Sequence, residues 1–188
     1  GSAAPHDPAA YPADVLAMDV EPIIAQLGLT DFDMAGYSLG GRTLVRLLAR
    51  GLRPARAVIA GMGLEGLVGG TARAAFFLKV IEQPADWPKG SPEAFAAAFL
   101  AQNQVDRVAV AHVLRSQQAT PLAVLRGLDT RSLILCGRDD RDNGSAADLA
   151  MELPNAALVE IPGNHMSAVA KPDFGAAIAA WLGHHPAG

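Results

Sequence analysis

The sequence predicts an α/β protein: a parallel sheet covered by helices on both faces and interrupted by a helical insertion. Three observations carry this expectation. Short, unbroken apolar runs closed by Gly or Pro (Phe32 to Ala35, Ala55 to Ala60, Ser132 to Cys136, Ala157 to Ile161) read as strands buried on both faces. Helical spacing between and after them supplies the crossovers that parallel strands require. Between the second and third strands lie about seventy residues, Met62 to Arg131, whose pattern is helical and too long for a simple crossover.

Taken in order, Gly1 to Pro12 is rich in Pro and small polar residues and reads as a loop. From Asp14, residues Leu16, Val20, Ile23, Ile24 and Leu27 fall at helical spacing, with Gly28 as a stop. Pro22 fits that helix badly, so either the helix kinks or it begins near Asp19 with Pro22 in its first turn. The first strand runs straight into Gly36-Tyr37-Ser38-Leu39-Gly40-Gly41, after which Leu44, Val45, Leu47 and Leu48 mark a second helix ending near Gly51. In the insertion, Ala72 to Val80, Pro92 to Ala101, Val105 to Ser116 and Pro121 to Leu128 are helical, broken at Pro84, Trp87-Pro88 and Gly90-Ser91-Pro92. Helices are also expected over Ala146 to Leu153 and Phe174 to Leu182. The chain thus divides into 1–61 and 132–188, two parts of one core, and 62–131, a cap over the carboxyl edge of the sheet.

Composition removes several classes of function. With 188 residues, 51% hydrophobic and 18% charged, the chain is long enough for one well-packed domain and too apolar for disorder. A net charge of −4 without a Lys/Arg block argues against nucleic acid or anionic membrane as a partner. The single cysteine, Cys136, excludes an internal disulfide framework and a cysteine-based zinc site, and is most simply a small core residue. The sequence contains no run of about 18 apolar residues, the length a membrane-spanning helix needs. No leader is visible, and a cytoplasmic location is the expectation.

The chemistry centres on Gly36-Tyr37-Ser38-Leu39-Gly40, a G-x-S-x-G between strand and helix. A nucleophile on so tight a turn is held in a strained backbone conformation, and small flanking residues, here Gly36 and Gly40, let the chain pass close by. The turn lifts the Ser38 hydroxyl to the sheet edge and aims the next helix N-terminus, with the Leu39 N–H, where an oxyanion would form. A bland alternative is a glycine-rich turn whose serine only caps a helix. Serine needs a base, and the base an orienting carboxylate. His165, in Pro162-Gly163-Asn164-His165-Met166 after the fourth strand, is the best placed. His6 lies in the opening loop, His112 in a cap helix, and His184 and His185 in the tail. The acid lies among Asp139, Asp140 and Asp142 after the third strand. Arg138 and Arg141 beside them read as surface arginines, and Trp87 and Trp181 as packing residues.

These residues together resemble the α/β-hydrolase fold superfamily, in particular its small capped esterase-like members: the order Ser, Asp, His, the elbow Gly-Tyr-Ser-Leu-Gly-Gly, a Gly-x-x-Asp after a strand, and Gly-Asn-His before a final helix. The likeness runs from Tyr11 to Leu182 and is weakest over the cap. It implies a partial α/β-hydrolase fold with Ser38 as nucleophile, Asp140 as acid and His165 as base. Asp140 is preferred over Asp139 because the family acid usually falls three residues after the glycine ending the strand, here Gly137. Leu39 would supply one oxyanion N–H, and Tyr37 beside it would face the substrate. The reaction implied is hydrolysis of a small-molecule carboxylic ester through an acyl-enzyme, with no metal or organic cofactor. Thioester, lactone, carbon–carbon and acyl-transfer chemistry are alternatives, as is a non-catalytic ligand-binding or scaffold protein of the same fold. The apolar cap residues Phe76, Phe77, Leu78, Phe95, Phe99 and Leu100 are expected first as cap core and second as pocket wall.

The resemblance also implies four strands ahead of the helix at Asp14, with a His-Gly oxyanion loop, and none precedes it here. A Gly-Ser start fits a cloning remnant or a proteolytic fragment. On this expectation the first strand is an exposed edge. A separate N-terminal chain or a swapped copy would complete the sheet, and this chain alone would be a weak catalyst.

Overall fold

In the computed structural model, residues 4–69, 72–83 and 85–183 are described; Pro84, His184, His185 and Gly1 to Ala3, which figured above, lie outside them. The elements follow in the order α1 (Val15–Gln26), β1 (Asp33–Tyr37), α2 (Leu39–Ala49), β2 (Arg56–Ala60), α3 (Leu64–Val68), α4 (Ala72–Glu82) and α5 (Pro92–Gln102). They continue as α6 (Arg107–Ser116), α7 (Leu122–Leu125), β3 (Ser132–Gly137), α8 (Ala146–Glu152), β4 (Ala156–Ile161) and α9 (Pro172–Gly183). The strands form one parallel sheet in the order β1-β2-β3-β4, with Gly36 opposite Ile59, Val58 opposite Leu133 and Leu133 opposite Ala157. Helices α3 to α7 lie between β2 and β3, where a helical insertion was expected. Among the described residues β1 is an edge strand.

The apolar runs are continuous because both faces are covered. Ala57 and Ile59 of β2, with Ile134 and Cys136 of β3, face Leu44, Val45 and Leu48 of α2 and Leu149 of α8. The alternate residues Val58, Ala60, Leu133 and Leu135 pack on the other side with Ile161, Phe174, Ile178 and Trp181. All six residues of β3 are buried. Each large apolar side chain there contributes about 1.5–3 kcal/mol, so truncating Leu135 to alanine would cost about 2–5 kcal/mol. A separate cap core is built from Val80, Ile81, Ala96, Leu100 and Ala111.

Local chemistry fixes the helix starts. Ser91 Oγ accepts the Ala94 N–H with Pro92 at the first helical position, Asp106 accepts the N–H groups of Val108 and Ala109, and Ser145 Oγ accepts that of Asp148. Asp14 precedes α1 but does not cap it, because Arg46 of α2 takes both its carboxylate oxygens at 2.9 and 2.7 Å. Helix α1 runs unbroken from Val15 through Pro22, so a start near Asp19 is not what forms. Pro22 is exposed and the buried residues of α1, Val15 and Ala17, lie before it. Water can therefore take the carbonyl that proline leaves without a partner. No described helix is long and apolar enough to cross a membrane.

Candidate active site

β1 ends at Tyr37, α2 begins at Leu39, and the single residue between them carries the strain: Ser38 sits at φ 52°, ψ −114°. Its N–H donates to the Ala60 carbonyl at 2.8 Å, which ties the bend to β2. The glycines around it are not equivalent. A Cβ on Gly36 would stand 2.3 Å from the Gly40 carbonyl oxygen, and one on Gly41 would meet Ala60 O at 3.1 Å. A Cβ on Gly40 would meet nothing within 4 Å. The close passage expected of Gly36 and Gly40 thus belongs to Gly36 and Gly41, while Gly40 supplies only backbone.

His165 stands in the loop after β4 and Asp140 in the loop after β3. His165 Nδ1 is 2.8 Å from Asp140 Oδ2, and Nε2 is 2.9 Å from Ser38 Oγ. A carboxylate only accepts, so Nδ1 carries the proton and Nε2 presents its lone pair to the serine hydroxyl. Asp140 and His165 are 4% and 3% exposed. Burial alone would push the Asp140 carboxyl up. The hydrogen bond from His165, the Asp142 N–H on Oδ1 at 3.0 Å and the Cys136 thiol outweigh it and hold the group below the ordinary carboxylate range. Asp139 is exposed, and its N–H pins Gly163 O at 3.1 Å, so the two loops are joined beside the site.

Further residues frame this line. The Tyr37 hydroxyl donates to the His165 carbonyl, and its ring packs 5.3 Å from the imidazole and 5.6 Å from Phe174. Tyr37, expected toward substrate, lines the cavity and also holds the histidine loop. Leu39 is at the first turn of α2, where an N–H has no intrahelical acceptor. Asn164 Oδ1 accepts the N–H groups of Met166 and Ser167, closing the turn that carries His165. Composition and spacing gave no sign of two contacts: the Cys136 thiol donates to Asp140 Oδ2 at 3.6 Å, and Asn143 Nδ2 donates to Gly61 O at 2.8 Å.

The hydroxyl opens on a cavity of about 870 Å³ under the cap. Phe76, Phe77, Phe95, Phe99 and Leu100 line it, so these residues form pocket wall and not only cap core; Leu78 packs within the cap cluster. At the wall Arg73 of α4 pairs with Asp142 and lies 5.3 Å over the Phe77 ring, joining cap to acid loop. Among the described residues, ligating atoms of Asp140, Asp142 and His165 fall within 4.8 Å of one another, and each residue is engaged as described above.

A family model described as "Alpha/beta hydrolase family" matches residues 1–178. Among solved structures, a hydrolase from Pseudomonas aeruginosa PA01 superposes with a TM-score of 0.72 at 22% identity, over 93% of this chain and 73% of that one. The esterase EaEST from Exiguobacterium antarcticum gives 0.74 at 16% identity, over 96% and 76%. The enol-lactonase from Burkholderia xenovorans LB400 gives 0.72 at 20% identity, also over 96% and 76%. At these identities the likeness is one of fold. No curated protein matches the chain at a significant level.

Proposed function

The chain belongs to the alpha/beta hydrolase family, and from that premise we propose that it is a serine hydrolase that cleaves carboxylic esters through an acyl-enzyme. The observation that carries this reading is the unbroken line from Asp140 through His165 to a strained serine that opens on an apolar cavity.

Ser38 Oγ attacks the ester carbonyl while His165 Nε2 takes its proton. The carbonyl electrons pass to an oxyanion that the Leu39 N–H and the N-terminus of α2 stabilise. Asp140 fixes the imidazole tautomer and stabilises the imidazolium. Collapse of the tetrahedral intermediate breaks the bond to the alcohol, which leaves with the proton from His165. Water then adds to the acyl-enzyme with His165 again as base, and the acid departs, regenerating Ser38.

The test is covalent labelling with a fluorophosphonate together with 4-nitrophenyl butyrate turnover. The reading expects one label per chain, on Ser38, and a loss of at least about 10³-fold in turnover for Ser38→Ala. Absence of both label and turnover, with tight ligand binding that survives Ser38→Ala, would instead favour a non-catalytic binding protein.

A further inference from the structure

We propose that Arg42 makes this an enzyme for acidic esters, receiving a carboxylate carried by the substrate while Ser38 attacks the ester carbonyl. The inference deepens the ester-hydrolase reading and rests on it.

Arg42 lies one helical turn after Ser38, and its N–H donates to the Ser38 carbonyl at 2.9 Å. It is 5% exposed and lines the same cavity as Ser38 and Leu39. Its guanidinium donates to the carbonyls of Gly66 and Gln118, while Nε is buried with no partner among the described residues. Among the described residues, no carboxylate forms a salt bridge with it. Asp14, whose charge it senses, is held at both oxygens by Arg46, which adds a second positive charge nearby. Burial and the Arg46 charge accordingly pull the Arg42 pKa down.

A buried cation met only by carbonyl oxygens is costly unless an anion joins it. The rest of the cavity is mainly aromatic and aliphatic, and among the described residues that line it the one other arginine or lysine is Arg73, already paired with Asp142. Of the five guanidinium N–H donors, the two carbonyls occupy one each on Nη1 and Nη2, which leaves enough for the two oxygens of a carboxylate. Ser38 and Arg42 line the same cavity, so one small ester could present its carbonyl to the serine and its carboxylate to the guanidinium. The alternative is a purely structural role, with Arg42 clamping α2 to α3 and to the segment at Gln118.

Two pairs of esters separate these roles and tell which side of the ester carries the charge. Mono-4-nitrophenyl glutarate is compared with 4-nitrophenyl butyrate for an acid on the acyl side, and 4-acetoxybenzoate with phenyl acetate for one on the alcohol side. The wild type is expected to favour the anionic member of at least one pair by about 10- to 100-fold in kcat/KM. Arg42→Met should lower kcat/KM for that anionic ester at least about tenfold more than for its neutral partner, with Arg42→Lys in between. Neutral esters preferred in both pairs by the wild type, or equal losses in Arg42→Met, would overturn the proposal in favour of the clamp. Glutarate binding to Ser38→Ala, measured by calorimetry and lost in Ser38→Ala/Arg42→Met, reads the anion site without turnover. If glutarate binds so while no ester is hydrolysed, the hydrolase reading fails and the anion site stands. If esters are hydrolysed and glutarate does not bind, the anion site fails alone.

Discussion

His165 Nε2 lies 2.9 Å from Ser38 Oγ although 127 positions separate the two residues. Parallel topology makes this possible: β1 and β4 run the same way, so the turn after one and the loop after the other open on the same edge of the sheet. Asp140, on the loop after β3 between them, completes the line.

The strain at Ser38 is measurable without any substrate. Ser38→Gly and Ser38→Ala both remove the hydroxyl, but only glycine adopts φ 52°, ψ −114° freely. Ser38→Gly is expected to be more stable than Ser38→Ala by about 1 kcal/mol, or roughly 2–4 °C in Tm, by thermal melting.

The elbow glycines divide in the same kind of experiment. Gly36→Ala drives a Cβ into the Gly40 backbone and is expected to cost about 3 kcal/mol or more. Gly40→Ala has open space and is expected to be neutral or to stabilise α2 by about 0.5 kcal/mol. Chemical denaturation of the two variants checks the contrast.

Asp140 and Asp139 are adjacent in sequence and opposite in expected effect. Asp140→Asn should lower kcat by about 10³–10⁴-fold, since the imidazole loses the acceptor that sets its tautomer. Asp139→Asn, at an exposed site, should stay within about threefold. The Asp140 carboxyl is held below its ordinary value, so its stabilising contribution is full above about pH 4 and is lost as pH falls through the folded value. Acid denaturation of Asp140→Asn should accordingly be less steep below pH 4.

On the alkaline side the sign reverses. Burial first, and the Asp140 charge second, push the Cys136 thiol from 9.0 to about 12 and the Tyr37 phenol from 10.0 to about 12. Both hold their protons longer when folded. Their contributions are full below about pH 9 and 10 and fall as pH rises toward 12. Denaturation across pH 8–11 should show that decline, with a shallower slope in Cys136→Ala and in Tyr37→Phe. The Cys136 thiol should resist iodoacetamide at pH 8 until the protein unfolds.

Much of this was legible in the sequence because each signal was local. Apolar runs marked the strands, and Gly-x-Ser-x-Gly, Gly-x-x-Asp and Gly-Asn-His marked three strand ends that parallel packing brings to one edge. Strand limits shifted by one or two residues: the first strand reaches Tyr37, not Ala35, because pairing with Ala60 continues to the bend. What was not legible depends on contacts between distant segments. The five-residue helix α3 is too short to show a period, and it holds Gly66, whose carbonyl Arg42 needs. The contact of Asn143 with Gly61, 82 positions away, appears only once β3 and its loop are in place. The apolar cap residues are expected first as core, yet Phe76, Phe77, Phe95, Phe99 and Leu100 line the cavity, because helical spacing is the same for a helix that packs and one that lines a cavity.

The central claim is that Ser38 takes the acyl group, and rapid-quench mass spectrometry of the reaction with 4-nitrophenyl butyrate tests it most directly. A transient gain of one butyryl group on the peptide that contains Ser38, formed with a burst of nitrophenolate and absent in Ser38→Ala, is the predicted result. Steady turnover that persists undiminished in Ser38→Ala, with no acyl group on that peptide, would contradict it.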